Sequence, residues 1–348
     1  MKKLAIIGNF GNSRKQVADG QTIKTQTVSD ELINQLGKDN VVVYNTNGGL
    51  VNLFKAPIVC LKAIILAHNV IIFPARRGVR VYAPLLAALS ILFKNRRLHY
   101  SVIGGWLPVF ISGRWILKRA LLRFHNIYVE TNTMKKALVE KGFNNVSIVQ
   151  NCKKIEIVDL DKLAIDHHEP YQLCTFSRVN KEKGIADAVM AVQNVNNSAN
   201  RIVYCLDIYG MIDPAQKEWF EELQSSFPEY IKYRGVASFN KSVDVLKGYF
   251  ALLFPTHYYT EGIPGTIIDS YAAGVPVISA KWQSFSDIID DKKTGYGYQF
   301  DNNEELEEIL QSIAEHPSKI SDLKTNCICK AENCLPQNTI KLILQNLI

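Results

Sequence analysis

The chain has 348 residues, 47% of them hydrophobic and 21% charged, and 40 Lys or Arg against 33 Asp or Glu give a net charge of +7. This composition excludes a disordered chain, a collagen and a small disulfide scaffold, and the length favours two domains, since single cores stop growing near about 250–300 residues. Residues 1–150 hold 21 Lys or Arg and 6 Asp or Glu, while residues 151–348 hold 19 and 27, so a basic half points to an anionic partner such as membrane lipid, nucleic acid or a phosphorylated substrate.

The opening MKKLAIIGNFGN has the lysines of a signal peptide. Its apolar run is too short for one and reads as a first strand. A helix over 25–36 follows, with Val28, Leu32, Ile33 and Leu36 at helical spacing. Further strands are expected at 41–46, 70–73, 98–104, 127–130 and 146–151, with helical segments between them. The apolar run Val81–Phe93 is flanked by Arg76, Arg77 and Arg80 and by Lys94, Arg96 and Arg97. It falls short of the roughly 18 residues of a spanning helix. Two readings stand: a helix lying on an anionic membrane surface, or a core helix with solvated ends. The segment RWILKRALLRFH (114–125) interleaves Trp115, Ile116 and Leu122 with Arg114, Lys118, Arg119 and Arg123 and admits the same pair of readings.

A polar linker over 159–170 precedes a second series of strands at 171–177, 202–210, 231–235, 249–255 and 275–279. Helices are expected around 184–195, 214–226, 241–248, 265–273 and 304–316. Continuous apolar strands alternating with helices predict an α/β fold of two doubly wound, Rossmann-like units with parallel sheets. The expected domains are 1–160 and 161–337, with a last helix over 338–348 free to pack back on the first. Seven cysteines, an odd number without a CxxC pair, suit a reducing compartment. Cys327, Cys329 and Cys334 form a candidate zinc cluster, but no His lies at finger-like spacing.

In doubly wound units ligands sit at strand C-termini, so the loops after strands carry the candidate chemistry. The loop over 8–25 has Gly8 and Gly20 but no GxGxxG fingerprint. In SRVNKEKGIADAV (177–189), Arg178 and Lys183 beside a helix start would suit a diphosphate; a solvated Lys/Arg-rich loop is the competing reading. The most specific stretch is FPTHYYTEGIPGTIIDSYAAGVPVIS (254–279). Its glycines expose N–H groups at a helix start, which suits phosphate or sugar oxygens. Glu261 and Asp269 could grip two parts of one polyhydroxylated ligand. Each acid alone would read as a solvated side chain, but the glycines and prolines around them also need explaining.

EGIPGTIIDSYAAGVPVIS resembles the signature of retaining glycosyltransferases of family four, which have the GT-B fold of two facing Rossmann-like domains with a cleft between them. SRVNKEKG, IYG (208–210), YRG (233–235) and DGQTIKTQTVSDELINQLGKDNVVVYNT resemble further stretches of that family. IFPARRGVR, SVIGGWLP and YVETNTMKKALVEKGF are similar to the branch that builds bacterial capsular, exopolysaccharide or O-antigen repeat units. The resemblance implies that Arg178 and Lys183 neutralise the donor diphosphate and that Glu261 contacts the donor sugar. It implies donor contacts for Gly20, Gly210, Gly262, Ile263, Pro264, Gly265 and Thr266, and ribose contact for Asp269, where the family has Glu. The family often has a His near the donor sugar; the region Val102–Trp106 has none.

The resemblance therefore implies sugar transfer, with retention, from a UDP- or GDP-linked donor to a polyprenyl-diphosphate-linked saccharide, without metal or cofactor. The expected setting is the cytoplasmic face of the membrane, bound peripherally to anionic lipid. An epimerase or hydrolase of similar fold, and a non-catalytic sugar-nucleotide-binding subunit, are the alternatives. No nucleic-acid motif accompanies the basic half.

Overall fold

The computed structural model describes residues 1–11, 20–48, 54–163, 167–238 and 241–347. Residues 12–19 of the first loop and 164–166 of the expected linker lie outside that set. Unit 1 comprises Met1–Lys154 and Cys334–Ile348, and unit 2 comprises Ile155–Asn333. Both crossings come earlier in the chain than the expected 160/161 and 337/338. Val158 N–H already bonds Ala272 of unit 2, while Lys153 N–H bonds the Cys334 carbonyl and closes unit 1.

Unit 1 is a six-stranded parallel sheet in the order β2-β1-β3-β4-β5-β6. Its strands are β1 (Lys2–Gly8), β2 (Val41–Asn45), β3 (Ala67–Ile72), β4 (Arg97–Ser101), β5 (Asn126–Val129) and β6 (Val146–Ile148). One face is covered by α2 (Ala56–Leu66), α3 (Arg76–Leu92), α4 (Trp115–Leu121) and α5 (Asn132–Glu140), which meet strand residues such as Ile7, Val70 and Ile72 in one core. The other face is covered by α1 (Gly20–Leu36) and, at the end of the chain, by Lys341–Asn346, with Val28, Leu32, Ile343 and Leu347 packed together. The Asn69 amide donates to the Leu347 carbonyl at 2.9 Å and pins that last helix to β3.

The run Val81–Phe93 belongs to α3 and is mostly core. Tyr82, Ala83, Leu86 and Ala87 are buried, while Ala88, Ile91 and Leu92 are exposed. The cause is position: α3 lies between α2 and α4 and packs on both. No helix among the described residues is long and apolar enough to cross a membrane.

Unit 2 is a second parallel sheet, ordered β12-β11-β10-β7-β8-β9. It contains β7 (Tyr171–Phe176), β8 (Tyr204–Tyr209), β9 (Ile231–Gly235), β10 (Ala251–Phe254), β11 (Val277–Ala280) and β12 (Gly295–Tyr298). From β7 the chain winds outward to β8 and β9, then crosses back to β10 on the other side of β7 and continues outward to β12. The winding direction therefore reverses between β7 and β10, the kind of switch point at whose strand C-termini doubly wound sheets bind ligands. The helices that matter to that edge are α6 (Ile185–Ala199) after β7, α7 (Gly265–Ala272) after β10 and α8 (Lys324–Glu332) near the end.

Candidate functional site

Both loops at the switch point of unit 2 carry candidate residues. The loop after β7 runs through Arg178 to a helical turn, Lys181–Lys183, that opens α6. Asn180 is buried and its side chain accepts from Lys183 N–H at 3.0 Å, an N-cap that fixes the turn. Gly184 follows with φ +67°, and a Cβ there would sit 1.7 Å from the Pro255 carbonyl oxygen. Only glycine lets this turn rest directly on the loop after β10.

That contact brings Lys183 to Glu261. Their Nζ and Oε2 are 2.7 Å apart, and the side chains are 15% and 20% exposed. Thr256 donates its hydroxyl to the same carboxylate oxygen at 3.2 Å. The Lys183 ammonium also lies 5.0 Å from the Tyr258 ring centre and 5.2 Å from that of Phe254, so its charge is held by a carboxylate and two π faces. Burial, reinforced by Glu182 and Glu261, raises the Tyr258 phenol pKa, while Asn180 and Arg178 pull it down. The groups around Tyr258 thus come from both loops.

Arg178 is half exposed and only loosely paired, 3.8 Å from Asp213. Its backbone is placed by Gly210, which has φ +143° and whose added Cβ would fall 1.6 Å from the Ser177 carbonyl oxygen. Packing of β8 against the loop after β7 therefore accounts for glycine at 210. Gly20, at the start of α1 in unit 1, meets no such demand among the described residues, none of which lies within 4 Å of a Cβ built there.

After Glu261 the chain passes through Gly262, Ile263 and Pro264 into α7, which starts at Gly265. Ile263 and Asp269 are buried, each 3% exposed. Thr266 stands in the first turn, and its hydroxyl is enclosed without a hydrogen-bond partner among the described residues. A buried hydroxyl left unpaired at a helix start can both donate to and accept from a ligand atom.

His257 did not stand out in the sequence, because its partners lie far along the chain. Its Nε2 is 2.7 Å from Asp187 of α6, and its Nδ1 is 2.7 Å from Asp301 beyond β12. Its backbone N–H bonds the Glu182 carbonyl at 2.9 Å. Partial burial opposes charge on the ring, but Asp301 and Asp187 outweigh it and the pKa is raised.

The thiols at 327, 329 and 334 do not gather. Cys327 is buried on α8 and donates to the Thr294 carbonyl at 3.5 Å, Cys329 is exposed, and Cys334 is buried in unit 1. No metal-holding cluster of His, Cys, Asp or Glu occurs among the described residues.

Residues 160–333 match the family described as glycosyl transferases group 1. Among solved structures, HepE from Anabaena in complex with UDP is 14% identical, with a TM-score of 0.75 over 100% of this chain and 99% of that one. The lipopolysaccharide outer core galactosyltransferase WaaB, in its apo form, is 14% identical with a TM-score of 0.69 over 100% and 99%. TarM from S. aureus is 14% identical with a TM-score of 0.64 over 85% of this chain and 59% of that one. No curated protein matches in sequence. At these identities the structural likeness concerns the fold, and the fold is GT-B.

Proposed function

The chain belongs to the glycosyl transferases group 1, and from that premise we propose that it transfers a sugar, with retention and without a metal, from a nucleotide-diphosphate donor to a lipid-linked saccharide. The observation that carries this reading is the 2.7 Å pair of Lys183 and Glu261, drawn from the two loops that flank the switch point of unit 2, with Arg178 on the first loop and Thr266 just after the second. The UDP bound by HepE favours a UDP-linked donor.

In this reading the Lys183 ammonium, with three donors and one carboxylate partner, keeps protons for the diphosphate. Arg178, loosely held, swings onto the same group. The anomeric carbon–oxygen bond to phosphate breaks while the acceptor oxygen bonds to the same face of that carbon. The acceptor's proton passes to the departing phosphate oxygen. Charge grows on the diphosphate as the bond breaks, so two fixed cations stabilise the transition state more than the ground state. Glu261 orients Lys183 and offers its second oxygen to a sugar hydroxyl, and Asp269 serves the ribose. Gly262, Ile263, Pro264 and Gly265 shape the backbone of the sugar and phosphate pocket. Removing Lys183 as Lys183→Ala is expected to lower kcat by about 10²–10³, the scale for one oxyanion donor. A radiolabelled-donor assay with a membrane extract as acceptor measures this, and near-normal turnover would sink the assignment.

The lipid side of the reaction suits unit 1. Residues 40–129 contain no Asp or Glu and 12 Lys or Arg. Within that stretch Ile58, Leu61 and Ile65 are exposed at helical spacing along α2, beside exposed Lys62, with exposed Phe54 and Lys55 just before it. On α4, Trp115 and Ile116 are 67% and 57% exposed next to Arg114 and Arg119. An apolar stripe edged by cations favours an anionic bilayer. The enzyme would then act as a peripheral protein on the cytoplasmic face, in assembly of capsule, exopolysaccharide or another surface polysaccharide by the family-four route.

A further inference from the structure

We propose that His257, as an imidazolium bridging Asp187 and Asp301, is a positioning residue that sets where the Glu261 loop stands against the Lys183 turn. The proposal rests on the reading of those loops as the donor site.

The argument begins with proton counting. Each ring nitrogen of His257 lies 2.7 Å from a carboxylate oxygen, Nε2 from Asp187 and Nδ1 from Asp301. A neutral imidazole has one N–H and one lone pair, so it can serve only one of these acceptors and would aim its lone pair at the other. Both contacts are attractive only when both nitrogens carry protons. The clamp is therefore a property of the charged ring.

What the clamp joins is also clear. His257 sits four positions before Glu261 on the loop after β10. Asp187 stands in the first turn of α6, four positions after Lys183. Asp301, at φ +60°, follows β12 on the outer side of the sheet. One side chain thus ties the acid's loop to the cation's helix and to the sheet edge beyond. The ring of Tyr259 lies edge-on to that of Phe300, centres 5.2 Å apart, and Tyr259 accepts from Gln283 N–H at 3.0 Å. These contacts hold the loop's outer side and do not titrate, so the charged ties of the loop include the Lys183–Glu261 pair itself and His257.

The ionisable groups on the ring are Asp187 from α6 and Asp301 from the segment after β12; Tyr298 of β12 interacts with both carboxylates, and its phenol pKa is raised by burial and then by them. Glu182 meets the residue only through its backbone carbonyl. The sign follows. The folded pKa of His257 is raised, so the clamp is complete below the ordinary histidine value and is lost as pH rises through the raised one. Loss of the tether loosens the pairing of Lys183 with Glu261 and weakens donor binding before it affects chemistry.

The test compares the wild type with two variants at about pH 6 and about pH 9, either side of a histidine transition. His257→Gln can serve only one acceptor well, and Asp301→Asn gives Nδ1 a partner that a neutral ring satisfies. Two readouts are taken: hydrogen exchange of residues 256–264 in the free protein, corrected for intrinsic rate, and the Kd of UDP and of GDP by calorimetry. In the wild type, protection falls and the UDP Kd rises about fivefold from low to high pH, as for one half-exposed charge-assisted hydrogen bond. His257→Gln behaves at both pH values like the wild type at high pH, and Asp301→Asn loses the pH dependence. Equal protection and equal Kd in the wild type at both pH values overturn the proposal, as does a His257→Gln protein that matches the wild type at low pH. If protection follows the expected pattern while neither nucleotide binds, the clamp stands and the donor-site reading falls.

Discussion

The outer face of α2 in unit 1 and the switch-point loops in unit 2 use charge in opposite ways. By sequence, unit 1 holds 24 Lys or Arg against 6 Asp or Glu, and unit 2 holds 16 against 27. Around α2 the cations share their surface with exposed aliphatic side chains and no acid for 90 residues of sequence. Such a surface makes a field, and it is indifferent to the position of any one lysine. In unit 2, a surplus of acid surrounds a few cations held by name: Lys183 by Glu261, His257 by Asp187 and Asp301, Arg234 by Asp207 at 2.8 Å. There position is what matters, and a single side chain should count for more than the net charge. The difference fits a unit that meets an extended anionic surface and a unit that meets one small anion.

The largest expected effect breaks the second region and spares the first. Gly184→Ala would place a methyl 1.7 Å from the Pro255 carbonyl, in a left-handed backbone conformation. Backbone lies on both sides of the clash, so neither can yield cheaply, and the cost should be on the order of 3–5 kcal/mol. The expected outcome is a lower Tm by calorimetry and loss of UDP binding, with anionic-vesicle binding kept by whatever fraction stays folded. Equal loss of nucleotide and vesicle binding in folded protein would mean that the two regions are not independent.

The first region has its own test. Ile58, Leu61 and Ile65 are 60%, 42% and 47% exposed, so a triple change to Gln should cost little stability. It should lower binding to vesicles by about tenfold or more, given about 0.8 kcal/mol for each buried methylene. Lys55→Gln with Lys62→Gln should act differently: about fivefold per lysine on vesicles of anionic phosphatidylglycerol at low salt, and nothing on neutral phosphatidylcholine. Flotation at two salt concentrations measures both. If the lysine pair lowers binding to both lipids equally, the face does not work through charge.

Much of this contrast could be read from the sequence, and the parts that could not have physical reasons. Eleven of the strands fall where the sequence pattern places them, but β12 reads GYGY. Its glycines are there because a Cβ at Gly295 would strike the Val277 backbone and one at Gly297 the Phe285 ring, so packing removed the very pattern that marks a strand. The two successive Rossmann-like units follow from the alternation of strand and helix, whereas the side of a helix left in water does not. Val81–Phe93 admits both a membrane-surface helix and a core helix, and nothing in the sequence singles out α2, because an apolar helix says nothing about which neighbours cover it. The pairing of Lys183 with Glu261 joins residues from two loops, and motif spacing had no means of giving its distance. His257 stands inside the most legible stretch of the chain and went unread, since Asp187 and Asp301 become its neighbours only through the winding of the sheet.

The smallest effect is the most discriminating within unit 2. The Thr266 hydroxyl is enclosed and has no partner among the described residues, and an unsatisfied buried polar group costs about 1–3 kcal/mol. Thr266→Val keeps the shape and removes the group, so it should leave the free protein as stable as before or raise its Tm slightly. If the hydroxyl is kept for the donor, the same change should weaken UDP binding by about tenfold, because the ligand atom then loses its partner in a desolvated place. Stability and affinity moving in opposite directions is the mark of a group held for a ligand at a cost to the fold. A Tm that falls together with an unchanged UDP affinity would make Thr266 a structural hydroxyl, and the start of α7 would then bind its anion through backbone N–H groups alone.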